Sequence, residues 1–250
     1  MKPRVYAFAN QKGGVGKTTT AINLAACLAE AGERALVVDL DPQANATSGL
    51  GMRANGTSSY DLLDGAPLAD LVKPTAFDNL FLVPSKPELA GAAVELSRRD
   101  DGDRYLAQAL EHAEEFDFVL LDCPPSLGPL TVNALAAADR VIVPVQTEYY
   151  ALEGLAQLVQ SINLIKTRLN PRLEIAGVLL TMADGRTRLS AEVEAEVRRH
   201  FGELVFTAVV PRSVRVAEAP SHGLPVTHYD RRSRGAEAYW KVAMELVERR

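Results

Sequence analysis

An apolar run, Val5 to Ala9, leads through Asn10 straight into Gln11-Lys12-Gly13-Gly14-Val15-Gly16-Lys17-Thr18-Thr19, and a helix-forming stretch begins at once. Strand, glycine-rich turn and helix in immediate succession are the context in which such a loop cradles phosphates. Gly13, Gly14 and Gly16 let the backbone N–H groups around Val15 turn inward on a polyphosphate, and the helix N-terminus adds partial positive charge. In that arrangement Lys17 is expected to reach the terminal phosphates, Thr18 to ligate Mg²⁺, and Thr19 to hydrogen-bond the innermost phosphate. The loop departs from the usual G-x-x-x-x-G-K-[ST] pattern at one point. Gln11 stands in the first glycine position and a second lysine, Lys12, follows it; by itself Lys12 reads equally as a solvated surface lysine.

The rest of the chain repeats the alternation that this loop begins. Short β-branched runs over residues 5–10, 35–40, 80–84, 116–122, 140–145, 175–182 and 205–210 read as strands. Amphipathic stretches over 18–31, 104–115, 129–138, 153–169, 190–201 and 236–249 read as helices, with Gly32 as a stop for the first. Most of the strands are apolar throughout, as strands covered on both faces must be. The expected fold is α/β: a doubly wound, mostly parallel sheet with helices on both faces, formed by residues 1–250 as a single domain. Residues 49–78, with short helix-like pieces around Leu62 and Leu71, carry the weakest pattern.

In a doubly wound sheet the carboxyl ends of the strands border the ligand crevice. Three aspartates fall at such ends: Asp39 and Asp41 in Val38-Asp39-Leu40-Asp41-Pro42, and Asp122 after Val119-Leu120-Leu121. A hard cation takes oxygen ligands, which makes Asp122 the expected partner of Thr18 on Mg²⁺. Alternation by two points Asp39 and Asp41 the same way, so one braces the loop while the other reaches an attacking water.

Charge separates the function classes that remain. The chain holds 27 Lys and Arg against 32 Asp and Glu, a net −5 that argues against nucleic acid. The distribution argues the other way: up to residue 185 there are 15 basic against 23 acidic residues, and beyond it 12 against 9. Arg212, Arg215, Arg231, Arg232 and Arg234 fall within 23 residues of that basic end. Hydrophobic residues at 47% and charged residues at 24% exclude a disordered or fibrous chain. Apolar runs fall short of the roughly 18 residues a membrane span needs, and the one near the N-terminus is too short for a signal-peptide core. The two cysteines, Cys27 and Cys123, lack metal-ligand spacing and fit a reducing cytoplasm.

Lys12-Gly13-Gly14-Val15-Gly16-Lys17-Thr18-Thr19, Asp39-Leu40-Asp41-Pro42-Gln43-Ala44-Asn45-Ala46-Thr47 and Asp122-Cys123-Pro124-Pro125 resemble the deviant-Walker P-loop ATPases of the ParA/Soj/MinD group. Residues 211–223, with Glu218-Ala219-Pro220-Ser221 at their centre, resemble the Soj-type chromosome-partition branch in particular. The resemblance implies an ATPase that uses ATP and Mg²⁺. It further implies a homodimer that sandwiches two nucleotides, with Lys12 crossing to the phosphates of the other copy. Within the family pattern Asp41 positions the attacking water and Asp39 supports it, so Lys12, Lys17 and Asp41 carry the catalysis. Met182 and Pro211, at strand ends on the crevice, are expected near the adenine. Non-specific binding to double-stranded DNA through Arg186 and Arg215, and a ParB-type centromere-binding partner that stimulates hydrolysis, are implied as well. The expected location is cytoplasmic and nucleoid-associated, with no membrane partner. Two other readings share the superfamily: a MinD-like membrane-associated positioning ATPase, and a ligase that phosphorylates a small carboxylate or amine. The absence of a short amphipathic helix after residue 249 opposes the first, and the arginine-rich segment has no task in the second.

Overall fold

The strand before the glycine loop, β1 (Arg4–Phe8), sends alternate side chains into two apolar layers. Val5 and Ala7 pack into one core, Tyr6 and Phe8 into the other. That two-sided burial is why the strand shows no polar alternation in the sequence. The computed structural model describes residues 2–148 and 151–249. In chain order β1 is followed by α1 (Lys17–Glu30), β2 (Ala35–Asp39), α2 (Asn45–Gly49), α3 (Ser59–Leu63), α4 (Leu68–Leu71), β3 (Lys73–Pro74), β4 (Leu80–Val83) and α5 (Leu89–Leu96). Then come α6 (Tyr105–Ala109), β5 (Phe118–Asp122), α7 (Pro129–Ala137), β6 (Arg140–Gln146), α8 (Ala151–Arg168), β7 (Glu174–Thr181), α9 (Arg188–Phe201), α10 (Val214–Glu218), α11 (Val226–Tyr229) and α12 (Arg234–Glu248).

The seven strands form one sheet in the order β3-β4-β2-β5-β1-β6-β7. All its pairings are parallel except that of β3 with β4 at the edge. Helices α1 and α12 cover one face, and α5 to α9 cover the other. From β1 the chain works outward in both directions, toward β2 on one side and β6 on the other, so the crevice opens above the carboxyl end of β1.

Helix α1 ends as its sequence suggests. Gly32 takes φ 95°, its N–H donates to the Ala29 carbonyl, and the Glu33 N–H donates to the Leu28 carbonyl, which satisfies two carbonyls of the last turn. Helix α12 buries Tyr239, Val242, Ala243 and Leu246, so its apolar face is taken up by the core of the α1 layer. No helix among the described residues is long and apolar enough to cross a membrane.

Three expectations from the sequence change. Residues 205–210 do not form a strand: one isolated bridge, Val178 with Val205, ties the segment to β7, and another, Ala183 with Pro211, lies just beyond both. Phe206 and Val210 still donate to β7 carbonyls, but between them the N–H groups of Thr207 and Ala208 turn away to the Glu245 carboxylate on α12. A side chain from a distant helix therefore captures the donors that a strand ladder needs. The helix expected over 104–115 stops at Ala109 and tightens into a 3₁₀ turn over Leu110–His112, after which both Ala113 and Phe116 reach the core. Helix α5, within 85–103, has no counterpart among the helices read from the sequence.

Candidate functional site

The glycine loop closes over the end of β1 because its backbone visits conformations that side chains resist. Gly14 and Gly16 take φ 72° and 90°, the left-handed region that favours glycine. The loop is tied down from the neighbouring strands: the Asn10 amide donates to the Pro144 carbonyl at 2.8 Å, and the Thr181 hydroxyl donates to the Val15 carbonyl at 2.8 Å. Lys17 opens α1 and is buried, with its ammonium donating back to the Lys12 carbonyl at 3.2 Å. Burial pushes its pKa down, and the nearby Asp122 and Asp41 carboxylates offset that loss.

Gly13, Gly14, Gly16, Lys17, Thr18, Thr19, Asp41 and Met182 line one cleft of about 410 Å³. Ile22 and Pro125 also line it, as do four further residues: Gln43, Asn45 and Ser48 from the segment after β2, and Pro220 beyond α10. Those four residues carry no role in the reading of the sequence, although three of them lie beside Asp41 in the chain. Val15, within the loop, is buried and does not line the cleft. Pro211 is not brought there. It lines a separate groove of about 800 Å³ along α12, together with its bridge partner Ala183.

Asp39 and Asp122 are register partners at the ends of adjacent strands, and both are wholly buried. They differ in what surrounds them. Asp39 accepts from the Asp41 N–H at 3.1 Å, the Thr47 N–H at 2.8 Å and the Thr47 hydroxyl at 2.7 Å. Neither oxygen of Asp122 has a hydrogen-bond partner among the described residues. Desolvation raises the Asp122 pKa well above the carboxylate range and the Asp39 charge raises it further; the Thr18 hydroxyl and Lys17 pull the other way without closing a bond of good geometry. Asp39 is raised by burial too, and its three donors hold it back. A buried carboxylate without donors beside a threonine hydroxyl is the oxygen set that a hard divalent cation completes.

Lys12 lies at the rim, half exposed, and its ammonium pairs with the Glu148 carboxylate just beyond β6. Arg186 and Arg215 lie outside the cleft. Arg186 is 87% exposed and forks onto Asp184, with Nε at 2.9 Å and Nη2 at 2.8 Å from its oxygens, which drives the Asp184 pKa far down. Arg215 on α10 pairs with Glu218 at 3.2 Å and Asp230 at 3.3 Å. Glu218 is an i,i+3 neighbour of Arg215 within α10, whereas Asp184 and Asp230 meet their arginines through loop geometry that composition does not encode.

A family model described as an AAA domain matches residues 3–175. The chain is 56% identical over 248 residues to the chromosome-partitioning ATPase Soj of Thermus thermophilus, covering 99% of this chain and 97% of the relative. It is 51% identical to the sporulation initiation inhibitor protein Soj of Bacillus subtilis, covering 98% of each. Among solved structures, cobyrinic acid a,c-diamide synthase from Mycobacterium smegmatis with bound ATP analog and magnesium superposes with a TM-score of 0.86 at 37% identity, over 98% of this chain and 95% of that one.

Proposed function

Since this chain belongs to the Soj/ParA family of chromosome-partitioning ATPases, we propose that ATP gates its attachment to DNA: two ATP-loaded copies close into a sandwich dimer that binds duplex DNA without sequence preference, and hydrolysis releases it. The observation that carries this reading is the cleft itself, in which a phosphate loop, Lys17 and Asp41 line the wall and Asp122 lies buried close to Lys17, in a chain more than half identical to a partitioning ATPase. That identity over the whole chain also favours partition over small-molecule ligation, and the exposed arginines have a task only in the former.

The N–H groups of the loop over residues 13–19 hold the phosphates, and Lys17 neutralises the terminal ones. Thr18 and Asp122 hold Mg²⁺, which supplies charge neutralisation on the phosphate oxygens. Asp41 orients the attacking water, and Asp39 fixes the backbone of Asp41. Met182 on the cleft wall and Pro211 in the groove along α12 pack near the adenine. A ParB-type partner accelerates hydrolysis, and the ATP form resides on the nucleoid in the cytoplasm.

Lys12 exchanges its Glu148 partner for the phosphates of the other copy when the dimer forms. Lys12→Ala is therefore expected to bind ATP with near-normal affinity and to remain monomeric on size exclusion with ATP. A normal ATP-induced dimer would remove the crossing role.

Binding to unrelated duplex DNA, measured with ATP, with ADP and without nucleotide, tests the function directly: affinity is expected with ATP alone, and equal binding in all three would end the gating. Replacing Arg186 or Arg215 by Ala should weaken binding to all sequences alike. The slope of log affinity against log salt should flatten by about 1 for each phosphate that is no longer neutralised, and by up to about 2 in a symmetric dimer. A double variant with wild-type affinity and slope would show that other residues hold the DNA.

A further inference from the structure

We infer that Thr47 and Ser85 are positioning residues for hydrolysis, because together with Asp39 they clamp the backbone of Asp41 on both sides of its side chain. The inference rests on the reading of Asp41 as the residue that orients the attacking water. The Asp41 N–H donates to Asp39 Oδ1 at 3.1 Å, and the Thr47 hydroxyl donates to Asp39 Oδ2 at 2.7 Å. The Ser85 N–H donates to that same Thr47 hydroxyl at 2.9 Å, and the Ser85 hydroxyl donates to the Asp41 carbonyl at 2.7 Å. The bonds form a closed ring that begins and ends at Asp41, and all four residues are buried.

The segment inside the ring needs such a clamp. Residues 40–44 are irregular, Pro42 offers no N–H, and Ala44 sits at φ 54°, a left-handed conformation that resists a side chain. Helix α2, which begins at the next residue, has no side-chain cap to hold it. The ring supplies what the segment lacks, and anchors it to the end of β4 as well as β2. The Asp41 side chain accepts from the Gln43 N–H at 2.9 Å and lines the cleft beside Lys17. A shift of its backbone therefore moves the carboxylate relative to the phosphates, and misplacement by about 1 Å costs on the order of 100-fold in rate.

The Thr47 hydroxyl uses both its donor and its acceptor capacity, so valine of the same shape cannot replace it and serine can. Three measurements test the roles: phosphate release, ATP affinity by calorimetry and the ATP-induced dimer by size exclusion, in Thr47→Val, Thr47→Ser, Ser85→Ala and Asp41→Ala. Ser85→Ala and Thr47→Val are expected to lower kcat about 10- to 100-fold while ATP affinity and dimer formation stay within about twofold, and Thr47→Ser is expected to restore the rate. A lowered melting temperature with unchanged kcat in Ser85→Ala, which adds no bulk and decides the matter if Thr47→Val fails to fold, would overturn the inference. Wild-type hydrolysis by Asp41→Ala would instead overturn the reading beneath it, whatever the other variants do.

Discussion

Asp41→Ala is expected to bind ATP, to form the ATP dimer and to stop there, with hydrolysis lowered by about 10²- to 10⁴-fold, the range that a positioned base or water-orienting group contributes. The phosphate loop takes its shape from Gly14 and Gly16 and from the ties of Asn10 to Pro144 and of Val15 to Thr181, none of which involves the Asp41 carboxylate. Nucleotide capture should therefore survive. Phosphate release together with size exclusion in ATP checks both halves of the expectation. The neighbouring Asp39→Ala should behave differently, because it leaves the Asp41 and Thr47 donors buried without an acceptor, at a cost of about 1–3 kcal/mol for each group. It is expected to lower the melting temperature as well as the rate. Should Asp41→Ala hydrolyse ATP at the wild-type rate, Asp39 becomes the candidate for the water.

Lys17→Ala is expected to lose ATP binding by about 100-fold or more, since charge-assisted bonds to phosphate are among the strongest available and each tenfold in affinity is about 1.4 kcal/mol. Lys17 is the buried cation of the cleft wall, already depressed in pKa by desolvation, and phosphate charge restores the environment that favours its ammonium form. Calorimetric titration with ATP, in the presence of Mg²⁺, reads the loss. Unchanged affinity would mean that the phosphates do not lie against this loop. Lys12→Ala contrasts usefully with it: both remove a cation from the same loop, but only Lys17 is enclosed by the fold of its own chain, while Lys12 stands half exposed against Glu148.

The elements that the sequence makes legible are those whose physics is local. Glycine at positions 14 and 16, a lysine and threonines at a helix start, and aspartates closing apolar strands each declare their backbone or chemical role through neighbours a few residues away. The cleft duly gathers Gly13, Gly14, Gly16, Lys17, Thr18, Thr19, Asp41 and Met182. Pro211, expected by the same rule, lines the groove along α12. Nothing near residues 205–210 foretells that Glu245 will take the N–H groups of Thr207 and Ala208.

Legible from the chain alone are the phosphate loop, six of the seven strands of a doubly wound sheet and the carboxylates at their ends, but not the edge strand β3 or helix α5. Tertiary structure alone decided which buried groups are satisfied. Asp39 and Asp122 look alike in the sequence, each an aspartate closing an apolar strand, yet one accepts three hydrogen bonds and the other none. The difference arises because residues 40–47 fold back over β2, where Thr47 reaches Asp39 and meets Ser85 just beyond β4, while the chain after β5 brings no donor back to Asp122 among the described residues. Burial makes each carboxylate costly, and only the long-range placement of donors decides which one becomes a brace and which stays open to a cation.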